Sequence, residues 1–205
     1  QCAEDFKGFV HKDLEKRIDP RKILENANSI IVIAKSYNKK ISLKQDGKIR
    51  CKIALGSFEE DYHGVLKAHL EDIIRIIQED FPHSESLSFV DTGPLDDRAA
   101  AKRAGVGTYG KNGMLITEKL GSAVNLGCII TDLEIPADKP SEKELCTNCG
   151  SCIKACPHGA LTEAGYDFRR CISYISQKKG DLEEWEKEIL GNTLYGCDIC
   201  LRACP

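Results

Sequence analysis

The fold the sequence predicts is a layered α/β domain followed by a small cysteine-rich module. Three observations predict it. Strand-type and helix-type apolar patterns alternate through the first part of the chain. Of the eleven cysteines, only Cys2, Cys51 and Cys128 precede residue 146. Between the two regions lies "EIPADKPSEKE" (134–144), polar with two prolines, which reads as a linker and puts a boundary near residue 140.

The elements follow in order. "SIIVIAK" (29–35) is a continuous apolar run rich in Ile, the pattern of a strand covered on both faces. "DYHGVLKAHLEDIIRIIQEDF" (61–81) has helical spacing, with Tyr62, Val65, Leu66, Leu70, Ile73, Ile74 and Ile77 on one stripe. Ser57 and Glu60 are placed as a capping box ahead of it. "LSFVD" (87–91) and "AVNLGCIITDL" (123–133) read as two further strands. The chain has 205 residues, 41% hydrophobic and 30% charged, enough for one large domain or a domain plus a module. No apolar run approaches the ~20 residues of a membrane span, and no signal peptide is visible. The chain opens on Gln1 and stops on Cys204-Pro205, which reads as part of something longer.

A net charge of −3 argues against a general nucleic-acid binder. The basic clusters "KDLEKRIDPRK" (12–22) and "DDRAAAKR" (96–103) read as solvated helix faces.

The module carries the strongest signal. Cys146-x2-Cys149-x2-Cys152-x3-Cys156-Pro157 is the bacterial ferredoxin cluster run. Soft anionic thiolates two residues apart suit three irons of one cubane, and the fourth, before proline, serves the other cluster. Cys171 and Cys197-x2-Cys200-x3-Cys204-Pro205 mirror it. Crossing the ligands as two-cluster ferredoxins do gives one 4Fe–4S cluster to Cys146, Cys149, Cys152 and Cys204. The other goes to Cys171, Cys197, Cys200 and Cys156. Zinc knuckles or disulfides fit this spacing less well. Cys2, Cys51 and Cys128 read as plain thiols. Two clusters form a short electron wire, and a pure carrier needs no large preceding domain, so that domain should receive the electrons.

In "FVDTGP" (89–94), Asp91 sits where a strand ends in a turn. An ordinary turn aspartate capping its own backbone is the simplest reading. An aspartic-protease reading fails, because that dyad needs a second such triplet and none is present. The glycine-rich "GVGTYGKNG" (105–113) lets backbone approach a flat ligand, but it is no P-loop. His63, His69 and His158 read as ordinary core, surface or loop histidines.

"VDTGPLDDRAAAKRAGVGTYGKNGMLI" (90–116), "GSAVNLGCIITDL" (121–133), the first cluster run, "FRRCISY" (168–174) and "GNTLYGCDICLRACP" (191–205) resemble, in order, the epoxyqueuosine reductase family. So does "EKRIDPRKILENANSIIVIAKSY" (15–37). The family is a set of cobalamin-dependent iron–sulfur enzymes related to reductive dehalogenases. The resemblance implies a nitroreductase-like cobalamin-binding α/β domain over 1–140 and a two-cluster ferredoxin-like domain over 141–205. It implies reduction of epoxyqueuosine in tRNA to queuosine, in the cytoplasm, fed by an external low-potential electron donor. Asp91 would be the proton donor to the oxygen freed by carbon–oxygen cleavage. Lys111 and Asn112, with Gly107 on the same stretch, would meet the corrin or its nucleotide tail. Arg17 and Arg98 would contact cobalamin or RNA phosphate, and Ser173 would hydrogen-bond near the cofactor. Where the family usually reads Arg-Tyr-Ala-x-Gly-Arg, this chain reads "KIALGSFEED" (52–61), and the family's Gly-Trp-Ile-Gly-Lys is "GTYGK" (107–111). Those departures keep two alternatives open: a dehalogenase-like cobalamin reductase of a small molecule, and a two-cluster electron-transfer protein.

Overall fold

The computed structural model describes residues 13–37, 50–58 and 60–205. Cys2, Lys12 and Glu59 lie outside the described residues. Two compact units form, each from separated stretches of chain. The first takes residues up to Lys35, then Tyr62–Thr108 and Asn125–Lys143; the second takes Ser36–Asp61, Tyr109–Val124 and Glu144–Pro205. The cysteine-rich stretch thus shares its unit with 36–61 and 109–124, which the sequence alone places with the first domain.

The first unit is built on a three-stranded sheet. Strands β1 (Ser29–Ser36), β2 (Ser86–Phe89) and β3 (Val124–Thr131) lie in the order β1-β3-β2. β2 runs antiparallel to β3, Ser86 opposite Thr131 and Phe89 opposite Cys128. β3 is therefore central, and Cys128, Ile129, Ile130 and Thr131 are fully buried.

Alternation sorts the strand residues to two cores. Ile31, Ile33 and Ile129 meet Leu66, Leu70 and Ile74 of helix α2 (Tyr62–Asp80); the shorter helix α1 is Leu14–Ile18. On the other face, Ile30, Val32, Cys128 and Ile130 pack on Leu24, Ala27, Leu95 and Ala100. This explains the unbroken apolar run of β1: both faces are covered. Its residues stay only partly buried because it is an edge strand. The helical stripe falls as the spacing predicts, with Leu66, Leu70 and Ile74 innermost. The capping box does not form, because α2 begins at Tyr62 and Ser57 lies in a 3-10 turn, Leu55–Phe58.

The polar 134–144 stretch is held at one point. Gly105 has φ +74, and a Cβ there would come within 2.5 Å of the Lys139 carbonyl oxygen. Gly105→Ala combines left-handed strain with a backbone clash, so it is expected to cost about 1–3 kcal/mol in urea denaturation.

In the second unit, helix α3 being Asp97–Arg103 of the first, the elements are short: α4 (Ser151–Ala155), α5 (Ile172–Ile175), α6 (Glu184–Leu190) and α7 (Ile199–Arg202). α4 packs against α7. α6 is anchored by Glu186, 4% exposed, which takes both bonds of Lys178 at 2.8 Å and accepts the Glu183 N–H. Lys52–Ile53 pairs in parallel with Thr193–Tyr195, so residues before α2 close on the end of the chain. Among the described residues, no helix is long and apolar enough to cross a membrane.

Candidate functional site

The cluster loops come first. Asn148 (φ 60) and Gly150 (φ 72) turn the first loop through left-handed backbone, which brings Cys152 into the first turn of α4. Cys156 follows at the helix end, where Pro157 stops it. The second loop repeats this with Cys200 on α7 and Cys204 just past it. The packing of α4 on α7 brings the two loops together.

The charge environment shows which thiols are neighbours. Burial raises the Cys204 thiol, and Cys146, Cys149 and Cys152 add to the rise. Burial pushes Cys200 up to about 12, with Cys197, Cys171, Cys156 and Cys152 contributing. Cys197 is raised by burial and by Cys171, Asp198 and Cys156. Cys149 is the exposed member, held down to about 7 chiefly by its hydrogen bond with Ser151 at 3.3 Å. Thiolates crowded in this way repel one another, and a cationic iron core relieves that repulsion.

Among the described residues, no three His, Cys, Asp or Glu side chains converge on a single metal ion. A four-iron cluster does not ask for that. Each thiolate meets its own iron, so the ligands stand farther apart than around one zinc.

Beside Cys204 lies a cavity of about 400 Å³, lined among others by Tyr37, Leu55, Leu120 and Asp198. Asp198 accepts the Leu55 N–H at 2.5 Å. Burial, with Asp198 and Cys200 nearby, pushes the Tyr37 hydroxyl up to about 12.

Lys111 pairs with Glu163 at 2.5 Å and also feels Cys146 and Cys152, so it stands near the first cluster loop. Asn112 is 9% exposed; its Oδ1 accepts the Met114 N–H at 3.1 Å, and its buried Nδ2 has no partner among the described residues. Ser173 is half-buried on α5, and its carbonyl accepts from Gln177 at 2.9 Å.

The second constellation is in the first unit, at the turn after β2. Asp91 has φ 54, uncommon for a residue with a side chain. The Thr92 N–H donates to the Val90 carbonyl at 2.5 Å across it, giving the rare, strained form of three-residue turn. The Asp91 carboxylate is 63% exposed and faces His63 Nε2 at 3.5 Å, instead of capping its own backbone. The His63 ring stacks on Tyr62, with centroids 4.0 Å apart. Sequence reasoning left His63 as an ordinary histidine. Only the fold of α2 against β2 brings it to Asp91.

The pair Asp96-Asp97 is not the solvated face the sequence suggests. Asp96 caps α3 through the Ala99 N–H at 3.0 Å and binds Arg17 at 2.8 Å. Asp97 turns inward; its Oδ2 accepts the Asp91 N–H at 3.1 Å, and its Oδ1 takes the Cys128 thiol at 3.7 Å. Burial first, and the Asp91 charge second, push the Asp97 carboxyl up to about 6. Arg17 thus stands beside the Asp91 turn, Arg98 is exposed on α3, and Gly107 is buried beyond that helix.

The Asp97 shift has a stability consequence. A carboxyl raised from 3.8 to about 6 favours the folded state at low pH, and that contribution disappears as pH rises through 6. Asp97→Asn is expected to stabilise the protein at pH 7.5 by about 3 kcal/mol, and by roughly half that at pH 5. Urea titrations of both proteins at the two pH values read this directly.

The fold and the thiol arrangement define an iron–sulfur protein of mixed α/β architecture. Residues 145–205 match the model of a 4Fe-4S double cluster binding domain, and residues 17–92 match that of epoxyqueuosine reductase QueG, DUF1730. The epoxyqueuosine reductase of Bacillus cereus is 43% identical over 202 residues, covering 97% of this chain and 53% of that protein. An epoxyqueuosine reductase solved with an epoxyqueuosine-modified tRNA-Tyr stem loop superposes with TM-score 0.87 at 39% identity, covering 97% of this chain and 53% of that one. The Bacillus subtilis enzyme, solved with its catalytic aspartate loop swung out of the active site, gives 0.88 at 36%, with the same coverage. The chain belongs to the epoxyqueuosine reductase family, and it spans about half the length of the curated relatives it matches.

Proposed function

We propose that this chain carries the electron-transfer and acid-donating parts of a cobalamin- and iron–sulfur-dependent reductase that converts epoxyqueuosine in tRNA to queuosine. The observation that carries the reading is the likeness, over almost all of this chain, to a reductase solved with an epoxyqueuosine-modified stem loop. The catalytic part falls within 1–140, as a nitroreductase-like cobalamin domain, and the ferredoxin-like part within 141–205. The reading places the enzyme in the cytoplasm, with an external low-potential electron donor.

The thiol couplings favour the crossed ligand sets. Cys204 responds to Cys146, Cys149 and Cys152, while Cys200 responds most to Cys197, then to Cys171 and Cys156, and least to Cys152 of the other loop. One feature suits a polar-edged cofactor: the buried Asn112 amide nitrogen, which has no hydrogen-bond partner among the described residues. Asn112 and Lys111 would hold it, with Ser173 as a further contact. Cobalamin, when bound, supplies the low-valent cobalt chemistry that opens a carbon–oxygen bond.

The chain's own residues do the rest. The clusters pass two electrons singly. Removing the epoxide oxygen as water consumes those two electrons and two protons and leaves a carbon–carbon double bond. Asp91 delivers a proton to the departing oxygen, and His63 at 3.5 Å is placed to replace it.

The test uses the full-length protein, reconstituted anaerobically with iron, sulfide and cobalamin and supplied with reductant. Mass spectrometry of an epoxyqueuosine-modified stem loop should show loss of one oxygen. An unchanged stem loop with cobalamin and both clusters bound would overturn the tRNA reading and favour a small-molecule substrate.

A further inference from the structure

The turn that carries Asp91 is strained and exposed, so something must hold it. Only glycine takes φ near +54 without steric cost, and this residue is aspartate. Few contacts come from the turn itself. Thr92 closes it on the Val90 carbonyl with its N–H and, at 3.4 Å, its hydroxyl, and among the described residues the Asp91 side chain pairs with His63. Among the described residues, Asp97 restrains the turn from outside it. Its Oδ2 accepts the Asp91 backbone N–H at 3.1 Å.

Asp97 is itself well fixed. It lies in the first turn of α3, whose N-cap Asp96 is tied to Arg17 at 2.8 Å. Its second oxygen receives the thiol of Cys128, a residue of the central strand with no exposed surface. So a chain of contacts runs from the core of the sheet, through Cys128 and Asp97, to the backbone of Asp91. A carboxylate that accepts from two donors on two different elements suits a positioning role better than a solvated one. Its raised ionisation, due first to burial, agrees with a group placed inward at a cost. The charged or titratable groups around it are Asp91, Asp96 and Cys128, with His63 beyond Asp91.

We propose that Asp97 is a positioning residue. By accepting the Asp91 N–H while anchored on Cys128, it sets the left-handed backbone of Asp91 and so the direction in which the Asp91 carboxylate and His63 present a proton. The inference rests on the catalytic reading of Asp91. Asp97 touches no substrate; it acts through the Asp91 backbone.

The test compares wild type, Asp97→Ala, Asp97→Asn and Asp91→Asn in the full-length protein, loaded with clusters and cobalamin. Single-turnover conversion of the epoxyqueuosine stem loop is read beside cobalamin and stem-loop affinity. Misplacing a reacting group by about an ångström costs up to ~100-fold. Asp97→Ala should therefore slow conversion about 10- to 100-fold, with both affinities unchanged. Asp97→Asn keeps an acceptor oxygen for the Asp91 N–H and should recover most of the rate. Wild-type rates in Asp97→Ala, with Asp91→Asn inactive, would overturn this inference and leave the role of Asp91 standing. Full activity in Asp91→Asn would overturn both. Equal losses in the Ala and Asn variants, or lost cobalamin in either, would mark Asp97 as merely structural and overturn the positioning role.

Discussion

Asp91→Asn is expected to lower turnover by about a hundred- to ten-thousandfold, while both clusters and cobalamin stay bound. The side chain keeps its size, and asparagine accepts left-handed backbone better than most residues, so the turn at φ 54 should survive. The Asp91 N–H that Asp97 accepts is backbone and is untouched by the substitution. What is lost is the ionisable proton on the carboxyl that faces His63 at 3.5 Å. In the proposed reaction, the departing oxygen then has no acid from this turn. Electron delivery does not depend on Asp91, so the clusters should still reduce normally. The loss should appear in the rate of oxygen removal and leave stem-loop binding near wild type. Unchanged turnover with cobalamin bound would remove Asp91 from the chemistry.

The second large effect concerns Cys204. It follows Cys197 and Cys200 in the chain, but its thiol is coupled to Cys146, Cys149 and Cys152. Cys204→Ala should cost the cluster held by the first loop, and iron should fall from about eight toward about four per chain. Pairs of substitutions decide the membership. Cys204→Ala combined with Cys149→Ala strikes one cluster twice, so about four irons should remain. Cys204→Ala combined with Cys197→Ala strikes both, and nearly all iron should go. Iron analysis with electron paramagnetic resonance of the reduced proteins reads each outcome. The reverse pattern would mean that each loop closes its own cluster.

Much of this was legible in the residues. The strand at 29–35, the helix at 61–81 and the strand at 123–133 lie within a residue or two of where their periodicity places them. Apolar burial sets those patterns, and burial of β1, α2 and β3 is local enough to read. The cluster run was legible because thiolate spacing is dictated by the cluster itself. The partners of Asp91 were not. His63 and Asp97 reach it only through the packing of α2 and α3 around the sheet, and nothing in the spacing of residues 63, 91 and 97 signals that. Charge patterning misplaced Asp96 and Asp97 for a physical reason. A "DDRAAAKR" segment looks like a solvated face, yet its first turn is fixed by a cap, an ion pair with Arg17 and a buried thiol. The joining of 36–61 and 109–124 to the cysteine-rich unit was hidden as well, because it depends on pairings such as Lys52 with Thr193, far apart in the chain.

The proposed function gives this chain two clusters and a cobalamin. It is tested most directly by an anaerobic ultraviolet–visible titration of the reconstituted full-length protein with cobalamin, read together with iron and cobalt content. The account predicts about eight irons and one tightly held cobalamin per chain, with the spectrum of the base-off form. Eight irons with no cobalamin bound would contradict it, and would leave a two-cluster electron carrier whose Asp91 does no more than close a turn.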